Sequence, residues 1–145
     1  MKRWAWVLGM VLVAAGAGAV QDEQAQEQAQ EPEPEYVNFT AAELVAQADE
    51  KLAAGDKDGA AMALEQALRA EGATGEMAMR LGLLHEELGA LDNAIDAYGV
   101  AGEKLEGAAK GEALGRRAVL QYTRGMEEAS ATAEAAVVAD PEGLW

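Results

Sequence analysis

The feature that most constrains this chain is a repeat. Gly89, Ala94, Tyr98 and Ala101 stand 34 residues after Gly55, Ala60, Leu64 and Ala67. A fixed period of that size marks units that cannot bury their apolar face alone and must stack on their neighbours. The stretch Leu81–Ala101 shows one unit best: an apolar helical pattern, an interruption at Gly89, then a second helical pattern.

Capping chemistry sets the expected boundaries. Thr40 and Glu43 form a capping-box pair, and Phe39 can staple onto Leu44, so a first helix runs from there to about Ala54. Gly55-Asp56 turns the chain, with Asp56 able to cap a second helix over about Asp58 to Ala70. After Gly72-Ala73-Thr74-Gly75, Thr74 caps a third helix from about Glu76 to Leu88, and its partner runs from about Leu91 to Leu105. Gly99, Gly102 and Gly107 should each weaken that fourth helix by about 1 kcal/mol, which predicts fraying after Gly102. A third pair follows, from Gly111 to about Thr123 and from about Met126 to Ala139, where Asp140-Pro141 stops it. Ala94 and Ala129 are 35 residues apart, which predicts a longer linker at Ala108 to Lys110 and a shorter turn at Arg124-Gly125. Small residues let antiparallel helices approach, so Ala48, Gly82 and Ala118 should face Ala60, Ala94 and Ala129. The expected fold is therefore all-α, about three tandem antiparallel helix pairs over residues 39–141, followed by a short tail, 142–145.

The N-terminal part is different in kind. Lys2 and Arg3 precede an uncharged apolar run from Trp4 to Val20 that ends in small residues, the pattern of a secretory signal peptide over residues 1–19 cut after Ala19. An uncleaved membrane anchor is the alternative, although the run sits at the short limit for a span. Residues 20–38 are rich in Gln, Glu and Pro and read as a disordered acidic linker, because so polar a segment cannot offset the entropy of ordering. These features imply an exported, secreted protein, or a membrane-anchored one facing the exported side.

Composition narrows the chemistry. A formal charge of −15 argues against nucleic acid as a partner. There is no Cys, one His and one Ser, which leaves no thiolate metal site and no nucleophilic triad. His85-Glu86-Glu87 lacks the second His of a zinc-protease helix, and Asp56-Lys57-Asp58-Gly59 has its Gly too early for a calcium loop. No catalytic residue, metal site or cofactor is expected.

The repeat resembles the tetratricopeptide family, whose 34-residue pattern places Leu-Gly, Ala, an aromatic and Ala at fixed offsets. The central unit carries Leu81-Gly82, Ala94, Tyr98 and Ala101, with Ala78 and His85 in the leading aromatic places. The first unit keeps Ala48, Gly55-Asp56, Ala60 and Ala67, and the third keeps Ala118, Ala129, Ala136 and Asp140-Pro141. The resemblance implies an α-solenoid whose first helices line a concave, partner-binding groove. By the same resemblance the groove would carry Asp49, Leu52, Met79, Arg80, Leu83, Glu86, Arg116, Val119 and Tyr122. The Lys and Asn residues with which some members clamp a terminal carboxylate are not at the matching places. The implied function is a non-enzymatic interaction module, a scaffold or adaptor in a cell-envelope assembly that takes a protein or peptide partner, and similarity to exported bacterial repeat proteins implies a periplasmic location. The alternative is a membrane-anchored structural protein that self-associates, with membrane contact only if the N-terminal segment is retained.

Two further surfaces stand out. Lys104, Lys110, Arg116, Arg117 and Arg124 gather basic charge in an acidic chain, either balancing Glu103, Glu106 and Glu112 or holding an acidic segment such as residues 21–35. At the other extreme, Ala135, Val137, Val138, Leu144 and Trp145 leave the last helix without the polar outer face of a capping repeat, which points to a homo-oligomer through this end or to a partner docked on it.

Overall fold

Thr40 opens the folded region in the computed structural model, which describes residues 38–143. The expected signal peptide or anchor, nearly all of the acidic linker, and Leu144 and Trp145 lie outside the described residues. The Thr40 N–H donates to Glu43 Oε2 at 2.8 Å while the Glu43 N–H donates to Thr40 Oγ1 at 3.3 Å. Each bond satisfies an amide that a bare helix end would leave unpaired. Phe39 stays exposed beside Leu44 at the rim of a shallow cleft.

Six helices follow: α1 (Ala41–Ala53), α2 (Lys57–Arg69), α3 (Gly75–Glu87), α4 (Leu91–Lys104), α5 (Gly107–Thr123) and α6 (Ala129–Ala139). No strand occurs among the described residues. Asp56 and Thr74 cap α2 and α3 by accepting from the N–H groups of Gly59 and Met77. The three within-pair turns are closed identically. Gly55, Gly89 and Gly125 adopt φ of 80°, 72° and 70°, and the next residue donates back to a carbonyl five positions earlier: Asp56 to Lys51, Ala90 to His85 and Met126 to Gln121. This is the Schellman closure, in which only a residue without Cβ adopts the left-handed geometry freely.

Helices adjacent in the chain pack on each other, α1 with α2, α3 with α4 and α5 with α6, and the pairs join through α2–α3 and α4–α5. The core is built from small residues, with Tyr98 and Leu64 its largest fully buried side chains. Ala48 and Ala60 meet in one cluster with Leu64, Leu81 and Leu84. The side chain resting on Gly82 is Tyr98, one turn beyond Ala94; a Cβ at Gly82 would fall 2.5 Å from its ring.

Three expectations are corrected. The fourth helix does not fray after Gly102 but continues to Lys104, because Gly99 and Gly102 are buried where α5 arrives. A Cβ at Gly102 would lie 2.6 Å from Leu114, so here glycine permits close packing that repays its poor helix propensity. Residues Ala108 to Lys110 are not a linker; they are the first turn of α5, which starts at Gly107. The last helix begins at Ala129, not Met126. The Ala129 N–H bonds to the Met126 carbonyl three residues back, a tight turn that delays the regular four-residue bonding. The longer connection therefore lies at residues 124–128, inside the third pair.

Candidate functional site

The residues expected to line a groove come from α1, α3 and α5, the first helix of each pair, and the structure brings the charged ones together. Arg80 on α3 donates to the Asp49 carboxylate on α1. Arg116 on α5 reaches Glu86 on α3 at 3.3 Å and Glu112 on its own helix at 3.1 Å. Both cross-helix pairs span about one repeat, and both tie one odd-numbered helix to the next. Partial exposure keeps each worth little in stability, about 0–1 kcal/mol. Their consequence is instead electrostatic, since the charges of this face are matched within the molecule.

Glu86 is the hub. Tyr98, on the neighbouring α4, donates its hydroxyl to Glu86 Oε2 at 2.9 Å. Burial, then the Glu86 carboxylate, push the Tyr98 hydroxyl well above its ordinary value, so it remains a proton donor across the accessible pH range. Burial works against the charge on Arg116, but the hydrogen bond to Glu112 and the neighbouring acids outweigh it and the guanidinium is held more firmly charged. The Tyr98 ring is thus packed on Gly82 while its tip orients a partly exposed carboxylate.

The apolar members behave differently. Met79 and Leu83 are half-buried, and Met79 packs against two core clusters. Leu52, Val119 and Tyr122 are exposed, Tyr122 to 82%. An aromatic ring so placed, with no hydrogen bond from its hydroxyl to the described residues, supplies apolar area and a polar tip to anything that docks on it.

Residues that the sequence reading did not place at this face also shape it. Tyr98 enters the sequence pattern as the aromatic of the repeat, yet its hydroxyl also donates to Glu86. Glu112 could have been found from its i,i+4 spacing to Arg116. Arg124 pairs with Asp92 at 2.9 Å. Two of the five gathered basic residues therefore balance acids of their own chain. His85 is buried, with Nε2 3.5 Å from Glu65 Oε1. It forms part of the wall of a cleft of about 340 Å³ between α2 and α4, together with Leu68, Leu81 and Val100. Among the described residues no three His, Asp or Glu side chains gather closely enough to hold a metal ion, and no helix is long and apolar enough to cross a membrane. Comparison with known proteins gave no matching family model and no matching curated protein, so the functional reading rests on the chemistry of this face.

Proposed function

We propose that residues 39–141 are a short tetratricopeptide-like α-solenoid whose first helices form a concave groove for a peptide or protein segment. The chain would act as a non-enzymatic scaffold or adaptor in an exported, envelope-associated assembly. One observation carries this reading: the charges of the α1, α3 and α5 face are paired with one another, leaving Leu52, Val119 and Tyr122 as its exposed apolar side chains. A surface with satisfied charges and exposed apolar groups loses little on desolvation and gains from covering apolar area. It suits a ligand segment with large apolar side chains at helical or extended spacing. The export part of the proposal is supported by Lys2, Arg3 and the apolar run that follows them.

The test is selection from a random peptide library on the immobilised chain, followed by titration of the enriched peptides. Tyr122→Ala and Val119→Ser should each weaken binding about tenfold or more, as expected for an exposed anchor worth about 1.4 kcal/mol. Both side chains are exposed, so helix content should not change. Peptides bound equally well by wild type and both variants would overturn the reading.

A further inference from the structure

Helix α6 differs from the other five in having apolar side chains nearly all round. From Ala129 to Ala139 it carries one charged residue, Glu134, and it buries only Ala129 and Ala136. Val137 and Val138 are exposed, Val138 to 81%. A helix that is apolar on every side is normally covered on every side. Where α3 covers α2 and α5 covers α4, no described helix follows α6.

The clefts beside α6 add to this. On one flank Lys110, Gly107, Ala135 and Val138 line a cleft of about 540 Å³. On the other, Ala118, Val119, Ala133 and Val137 line one of about 290 Å³. The helix is thus an apolar ridge between two apolar clefts, a shape that can receive a copy of itself.

Charge singles out the occupant. The chain is strongly acidic, so two copies meeting by most of their surface would set like charge against like. The α6 ridge is the exception: it carries a single charge, Glu134, and the cleft beside Val138 is bordered by one charge of each sign, Lys110 and Glu106. Lys110 borders the cleft beside Val138, and Glu134 lies one helical turn before Val138 on the ridge. Neither has an ion-pair partner among the described residues. A two-fold contact requires one self-complementary patch, and an unpaired Lys and Glu flanking an apolar ridge provide it.

We propose that the chain forms a two-fold dimer through α6, with Val137 and Val138 of each copy seated in the partner's clefts and Lys110 of each copy paired with the other's Glu134. This surface adjoins the α1, α3 and α5 face at Val119, which lines the second cleft, but Val138, Lys110 and Glu134, on which its test turns, are not groove residues, so the two proposals fail separately.

Sedimentation of the full chain from about 1 to about 300 µM tests it, because mass action populates a dimer only as concentration rises. Wild type should pass from monomer to dimer and no further. Val138→Glu should stay monomeric throughout with unchanged helix content by circular dichroism. Lys110→Glu and Glu134→Lys should each raise the dimer dissociation constant about tenfold, since symmetry counts each pair twice and exposed pairs contribute up to about 1 kcal/mol each. The double exchange should restore it to within about threefold of wild type. A chain monomeric at the highest concentration would overturn the proposal. So would a dimer indifferent to Val138→Glu, a double exchange without recovery, or growth beyond a dimer, the mark of head-to-tail stacking.

Discussion

The joints α2–α3 and α4–α5 occupy the same place in successive units, yet α4 packs on α5 more extensively than α2 packs on α3. One repeat earlier than Gly99 and Gly102 stand Glu65 and Leu68. At the second joint the two glycines admit Arg117 and Leu114 against the α4 backbone, whereas α2 presents full side chains at both positions. Tyr98 adds to the difference. It packs in one cluster with Ile95 and Leu120, so that α3, α4 and α5 share a buried aromatic, while the corresponding Leu64 clusters with residues of the first two pairs. Small residues at a joint therefore stabilise through what they admit, even though they weaken the helix that carries them.

The largest test of that contrast is Tyr98→Ala. Truncating a fully buried aromatic should cost about 3–5 kcal/mol in urea denaturation, more than any single change at the α2–α3 joint. Gly102→Leu should cost about 1–3 kcal/mol, because the added side chain meets Leu114 where no space remains. The same method reads it, and a stabilised variant would mean that the α4–α5 contact is not close. Tyr98→Phe keeps the ring and loses only the bond to Glu86, with an expected loss of about 0.5–1.5 kcal/mol. Native-state hydrogen exchange should show α1 and α2 opening at lower free energy than α4 and α5, as the looser joint requires. Uniform protection would remove the contrast.

The smallest expected effect concerns acid. The backbone N–H of Thr40, and then its hydroxyl, hold the Glu43 carboxyl below its ordinary value of 4.5. A carboxylate depressed in the folded state contributes stability above its unfolded value and loses it as pH falls through the folded one. Glu43→Gln keeps a neutral cap but cannot titrate. The difference between wild type and this variant should be constant near neutral pH and shrink in wild type's disfavour below about pH 4.5. Parallel profiles would show that the cap carries no proton linkage.

How much was legible in the residues depends on the range of the forces involved. The Thr40, Asp56 and Thr74 caps and the Gly55, Gly89 and Gly125 turns act within six residues, and each was found where the sequence put it. The first turn of α5 was missed because Gly107 and Gly111 resemble breakers until their packing is known; Gly111 is buried. The start of α6 was missed because no side chain caps it. At the candidate face, the resemblance to the tetratricopeptide pattern pointed to Asp49, Arg80, Glu86 and Arg116, but not to their pairing with each other, since about one repeat separates the partners along the chain.

By itself the sequence determined the number and order of the helices, the caps of α1, α2 and α3, the glycine turns within pairs and the Ala48–Ala60 contact of the first pair. Those follow from local hydrogen bonding and from a period the chain repeats. Only the tertiary structure decided that Gly99 and Gly102 strengthen a joint, that Tyr98 steers Glu86, and that α6 keeps an apolar side open. Each of those depends on what stands opposite, and the element opposite is fixed by the packing of the whole stack.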